Sequence, residues 1–266
     1  MGKKIVFLSW GAEPALAGAV VCAAAGELER QQPGKTALVT LSEPEGWRQM
    51  VCGRGAADAE EEKSGLAGLL LNFRHARLDE ERIRSCAVPT RLPGTEAFFG
   101  GQEESRRELS YLMIKQLPQV YDRILYFFWR ETAAAEAVLQ EAEIKILLLP
   151  QNPWYWRSFF WNRSLPETGQ RMVVIVGCRA HSRYGAAYCK AAHAGSLRGC
   201  RVMEIPDSTG YLDAYYRGSW TEFLKQHQLC RRGEENSEFL RQIKKLAAFV
   251  LKAEKQGAGR EPAGKL

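Results

Sequence analysis

Near its start the chain passes from a short apolar run, residues 4–9 (KIVFLS), through Trp10, Gly11, Ala12, Glu13 and Pro14 into an Ala/Leu-rich stretch over 15–30. A strand that turns into a helix is a ready anion site. The first helical N–H groups have no intrahelical partner, and the helix dipole favours negative charge there. A phosphate-binding loop adds a lysine and a Mg²⁺-binding hydroxyl to such a turn. Here the residues from Trp10 to Val20, with Leu16, Ala17, Gly18 and Ala19 among them, include no lysine, serine or threonine. Pro14 lacks an N–H, and Glu13 places a negative charge where a phosphate would arrive. The turn predicts a poor triphosphate site.

Other chemistry-bearing residues form no working constellation. His75, His181, His193 and His227 stand at no ligand spacing, so no metal site is expected. The seven cysteines are odd in number and never at CxxC spacing. They read as reduced, mostly buried thiols of a cytoplasmic protein. Cys178 sits at a predicted strand end with no base placed to activate it. The N-terminus has no signal-peptide pattern, and no apolar run, that around residues 144–149 included, is long enough to span a membrane.

The densest feature is Asn152-Pro153-Trp154-Tyr155-Trp156-Arg157-Ser158-Phe159-Phe160-Trp161. Asn152 suits a helix N-cap and Pro153 the first turn. Aromatic rings then fall all around the helix, more than one amphipathic face requires. Two readings stand side by side: a thick core helix, or an interface helix in which Trp154, Tyr155, Trp156, Phe160 and Trp161 anchor a partner.

Charge is mildly basic, +6 overall, which fits contact with anionic surfaces without identifying one. Arg179, Arg183, Lys190 and Arg198 gather in one stretch, with Arg231-Arg232 and Lys244-Lys245 later. A solvated face is the plain reading of so loose a group, and a DNA or lipid patch the competing one. The last helix, residues 236–255, carries Phe239, Ile243, Leu246 and Val250 on one face. It reads as packing on the sheet rather than as a membrane anchor.

The elements that must position these residues alternate along the chain. Strands are expected at 4–9, 36–41, 86–92, 123–128, 144–149, 172–176 and 202–205. Helices are expected at 15–30, 65–73, 79–84, 103–117, 131–142, 153–161, 184–194, 211–228 and 236–255, with a polar loop over 54–64. Continuously apolar strands are buried on both faces, and βα alternation makes them parallel. The fold class is α/β: one doubly wound, mostly parallel sheet over residues 1–255, with a disordered tail at 256–266.

Over residues 3–252 the chain resembles the TadZ/CpaE branch of MinD/ParA-type P-loop proteins, which accompany Tad (Flp-type) pilus genes. The opening segment is similar to a first strand and deviant Walker A motif. In that register Glu13 stands for the signature lysine, Gly18 for the phosphate lysine and Ala19 for the Mg²⁺ threonine. Leu92-Pro93-Gly94-Thr95 resembles the LPGT that ends a middle strand. Tyr121-Asp122-Arg123-Ile124-Leu125 resembles the start of the Walker B strand, yet Phe127-Phe128-Trp129-Arg130 stands where its acid is due. Leu149-Pro150-Gln151-Asn152, Val176-Gly177-Cys178 with Ser182-Arg183-Tyr184, Ile205-Pro206 and Asp213-Ala214 match later segments, Cys178 replacing an asparagine that helps hold the base.

The resemblance implies a degenerate nucleotide site made by the first turn together with Gln151, Asn152 and Pro206. It implies a homodimer whose subunit contact lies near the aromatic helix, and partners in pilus assembly or polar localisation at the inner face of the membrane. The expected function is that of a pseudo-ATPase adaptor with no catalytic residue and no cofactor. Two alternatives are a switch that binds ATP weakly through the N–H groups of residues 15–19, and a non-specific DNA-binding protein of the ParA kind.

Overall fold

The computed structural model describes residues 1–41, 46–53, 64–75, 78–100, 106–179, 181–231, 233–234 and 236–258. Strand β1 (Lys3–Ser9) is apolar and buried almost throughout, so it belongs in the middle of a sheet covered on both sides. It pairs in parallel with β5 (Arg123–Phe128) on one side and β6 (Ile144–Pro150) on the other. The full order is β3-β4-β2-β5-β1-β6-β7-β8, where β2 is Thr36–Thr40, β3 Val88–Pro89, β4 Thr95–Phe99, β7 Gln170–Cys178 and β8 Arg201–Pro206. Every pairing is parallel except β3 with β4.

Alternate residues of the strands feed two cores. Ile5, Phe7, Leu125 and Phe127 face α1 (Pro14–Gln31), α2 (Trp47–Cys52), α10 (Thr209–Tyr216), α11 (Trp220–Gln226) and α12 (Ser237–Ala258). Val6, Leu8, Ile124, Tyr126 and Phe128 face α3 (Gly65–His75), α4 (Glu80–Ser85), α5 (Arg106–Tyr111), α6 (Leu117–Val120) and α7 (Ala133–Glu141). On that second face also lie α8 (Pro153–Asn162) and α9 (Ala186–Ala192). Buried cations pin the far end of the sheet, Arg123 and Lys145 among them. Arg123 pairs with Glu254 of α12 at 2.7 Å. The Lys145 ammonium donates to the carbonyls of Ala142 and Thr168 at 2.6 and 2.5 Å.

The doubly wound sheet agrees with the sequence reading, while several elements differ locally. The strand expected at 86–92 shrinks to Val88–Pro89, because Leu92-Pro93-Gly94 turns the chain, with Gly94 at φ +70°. Thr95 therefore opens β4, a strand the sequence reading missed, rather than closing a middle strand. The helix expected over 103–117 begins its described part at Arg106 and contains a π-helical turn at Leu112–Gln116. That over 211–228 breaks at Gly218, φ +70°, into α10 and α11. Helix α2 lies between glycines with left-handed φ, Gly46 and Gly53, and gives too short a pattern to be read. Of the polar stretch 54–64 only Ser64 is described, and α12 continues to Ala258, beyond the expected boundary at 255.

Candidate functional site

Strand order reverses around β1, so the crevice beyond its C-terminal end is where this architecture places a ligand. The turn there is tied down by Trp10 N–H donating to Leu148 of β6 at 3.0 Å. Gly11 adopts φ +71°, and the ring of Tyr155 from α8 lies so close against it that a Cβ could not be accommodated. Glu13 is the N-cap of α1 but accepts no helical N–H through its carboxylate. Its carbonyl takes the N–H of Ala17 at 2.9 Å. With Pro14 lacking a donor, helix geometry leaves the N–H groups of Ala15 and Leu16 for any anion.

The positions after the turn point inward. Ala17, Gly18, Ala19 and Val20 are all buried in the first core. A Cβ on Gly18 would stand 2.7 Å from the indole nitrogen of Trp47 and 2.9 Å from the Tyr215 hydroxyl. The Tyr211 hydroxyl donates to the Ala19 carbonyl at 3.1 Å. Trp47 in turn packs on Phe127 and Phe99, ring centres 5.0 and 5.9 Å apart. Phe127 and Phe128 run beside Phe7 and Leu8 of β1. Beyond them the Arg130 guanidinium covers the Trp129 ring at 4.1 Å. One indole thus bridges Gly18 of α1 and Phe127 of β5.

Beside the turn a cleft of about 1040 Å³ opens at the ends of β6, β7 and β8, bordered by Leu16, Gln151, Asn152 and Tyr216. Glu13, Asp207 and Asp213 face it, against Arg179 and His181. This acid excess opposes a polyphosphate. Burial, and then the Glu13 charge, push the Tyr216 phenol above its ordinary pKa. The polar ends of Gln151 and Asn152 are engaged locally. The Gln151 side-chain oxygen accepts the Arg179 N–H at 2.9 Å, and that of Asn152 caps α8 at the Trp154 N–H, 3.0 Å. Pro206, expected at the site, ends β8 opposite Cys178 and does not line the cleft; its neighbour Asp207 does. Burial pushes the Cys178 thiol up to about 12, which removes it as a nucleophile. Among the described residues no group of three His, Cys, Asp or Glu is placed to hold a metal.

Helix α8 divides its aromatic rings between two environments. Trp156 and Phe159 are buried, Trp156 donating its indole N–H to the Pro150 carbonyl at 2.7 Å. Trp156, expected at an interface, is a core residue, because its bulk fills the space between α8 and the sheet. Phe159 meets Trp10 edge-on at 5.6 Å, and Phe160 is half-buried beside His193, 4.8 Å away. Tyr155 is half-buried on Gly11, while Trp154 and Trp161 face solvent. Sequence reasoning missed Trp47, Asp207, Asp213 and Tyr216 as site residues. Strand order brings these segments to the turn, and of the four only Asp213 stood in a segment, Asp213-Ala214, that the sequence reading singled out.

No family model matches the chain, and no curated protein matches it. Solved structures do. A ParA family ATPase from Chlorobium tepidum TLS superposes with a TM-score of 0.67 at 15% identity, over 92% of this chain and 99% of its own. The septum site-determining protein MinD from Pyrococcus horikoshii OT3, complexed with Mg-ADP, gives 0.62 at 14% identity over 97% and 98%. The MinC:MinD cell division complex of Aquifex aeolicus gives 0.58 at 10% identity over 98% and 99%. At these identities the likeness establishes the architecture: this chain has the MinD/ParA fold of the P-loop NTPases along nearly its whole length.

Proposed function

We propose that the chain is a catalytically degenerate MinD/ParA-like protein of the TadZ/CpaE kind, an adaptor or localisation factor for Tad/Flp-type pilus assembly. It works in the cytoplasm as a homodimer, by docking on partners instead of hydrolysing ATP. The observation that carries this reading is the aromatic filling of the first turn, with Tyr155 against Gly11 and Trp47 against Gly18. Phosphoryl transfer depends on cations and Mg²⁺ positioned around the transferred group. Here the corresponding positions hold glycine, alanine and phenylalanine, and the flanking cleft has an excess of carboxylates. The exposed side of α8 supplies a docking surface.

The deciding experiment is thermal unfolding of the intact protein with and without millimolar Mg-ATP. A ligand that binds only the native state, present at a hundred times its Kd, stabilises by about 2.7 kcal/mol. The expected result is an unchanged melting temperature. A saturable rise that requires magnesium would favour a second reading, a nucleotide-dependent switch. The N–H groups left at Ala15 and Leu16 beside the 1040 Å³ cleft support that alternative.

A further inference from the structure

Among the described residues nothing covers the outer side of α8. Trp154 and Trp161 are 66% and 89% exposed. Seven residues apart, they lie about 20° from each other around the helix and about 10 Å apart along it. Trp156 and Phe159 fill the opposite side, so both exposed rings point away from the core. Arg157 is exposed between them. Helix α9 continues this surface with exposed Ala187, Tyr188, Lys190 and Ala191. The two helices are held side by side by Trp156 against Tyr188 and Phe160 against His193, ring centres 6.2 and 4.8 Å apart.

Charge on this part of the chain is one-sided. Residues 144–203 hold nine lysines and arginines and a single acid, Glu167. That is a balance of +8 where the whole chain carries +6. Of these cations Lys145 is buried and Arg163 is paired with Glu131 and Glu136, so those exposed on α8 and α9 themselves are Arg157 and Lys190. Neither α8 nor α9 contains an acid.

We propose that the α8–α9 face docks on an anionic lipid bilayer, with Trp154 and Trp161 seated at the interface and Arg157 and Lys190 against lipid phosphates. This deepens the reading of α8 as a docking surface and is independent of whether nucleotide binds. Tryptophan is the side chain most at home at the boundary between headgroups and acyl chains. Two indoles projecting in one line can sink into a bilayer without a matching cavity, as a rigid protein partner would have to provide. A second copy on a two-fold axis would set Arg157 and Lys190 against the same cations, which disfavours pairing through this face. Anionic lipid instead attracts each of them.

Flotation of the full chain with phosphatidylcholine vesicles, with and without an equimolar share of phosphatidylglycerol, tests this. Binding is expected to the anionic vesicles only and to weaken as salt rises. The doubly substituted Trp154→Ala/Trp161→Ala protein should lose flotation while its melting temperature is unchanged. Arg157→Glu should weaken partition roughly tenfold or more, since it removes one attracted charge and adds a repelled one. Equal binding to neutral vesicles, or binding untouched by either variant, overturns the proposal. Absence of vesicle binding also overturns it; if the tryptophan variant then abolishes concentration-dependent self-association, the occupant of the face is a second copy. None of these outcomes depends on ATP, so they are distinct from failure of the pseudo-ATPase reading.

Discussion

The indole nitrogen of Trp47 lies 2.7 Å from where a Cβ on Gly18 would stand, and the same ring packs 5.0 Å from Phe127. A side chain cannot be added at Gly18 unless Trp47 moves, and Trp47 is held by Phe99 and Phe127. The space next to Gly18 is filled as core, so a single substitution there does not make room for a longer side chain.

Placing a lysine at this position, Gly18→Lys, is therefore expected to destabilise the protein without conferring nucleotide binding. Overpacking a well-filled core costs about 1–3 kcal/mol, and burying an ammonium adds to that. Relief from replacing a mid-helix glycine returns only about 0.5–1 kcal/mol. Urea denaturation should show a lower midpoint with the slope unchanged. A variant as stable as the parent, and stabilised by Mg-ATP, would show that the turn remains a working phosphate site.

How far the sequence revealed this arrangement depends on the range of the contact involved. Strand β5 was legible residue for residue because Arg123 to Phe128 are continuously apolar after the first position, the mark of a strand covered on both faces. The cap of α8 by Asn152 was equally local. What stayed hidden were contacts between distant segments: Tyr155 on Gly11, Trp47 on Gly18, and Asp207 beside Glu13 at one cleft. Periodicity specifies which side of a helix is buried, but not which ring from another element will fill a given gap. Pro93-Gly94 misled in the opposite sense, since it marks a turn without saying that a strand follows it.

The buried pair Arg123–Glu254, 2.7 Å apart, ties the last helix to the sheet, and removing one partner differs from removing both. Glu254→Gln leaves the guanidinium buried without its counter-ion and is expected to cost about 3–5 kcal/mol. Replacing both by apolar residues, Arg123→Met with Glu254→Leu, removes the uncompensated charge and should recover most of that loss. Chemical denaturation of the two variants checks the order. If the single substitution is silent, the pair contributes nothing to holding α12.

Lys145 carries a pH signature. Burial holds its ammonium down at about 8, against an ordinary value of 10.5. Below about 8 both folded and unfolded chains bind this proton, and burial of the charge is a constant penalty. Between the two values the unfolded chain binds more protons than the native one, so this residue's contribution to stability rises with pH. The gain is at most about 3 kcal/mol. Cys22 and Cys178, whose thiols burial pushes up, act in the opposite sense over the alkaline range. The comparison of Lys145→Met with the parent isolates the lysine. The stability difference between the two should change across that window and be flat below it; a difference flat throughout would mean the carbonyls of Ala142 and Thr168 hold the ammonium without a shift.

The division of α8 into a filled and a bare side makes a quantitative contrast between two residues of the same type. Trp156→Ala empties a fully buried site and strands the Pro150 carbonyl that accepts the indole N–H, so it should cost about 3–5 kcal/mol. Trp161→Ala removes a ring that is 89% exposed, and its effect should stay within about 0.5 kcal/mol. Equilibrium unfolding of the two variants in parallel measures both. Equal costs would mean that Trp161 is covered in solution by an element of the same molecule, and the bare face from which docking is inferred would not exist. A large cost for Trp156 with none for Trp161 leaves that face free to bind, since nothing in the fold depends on it.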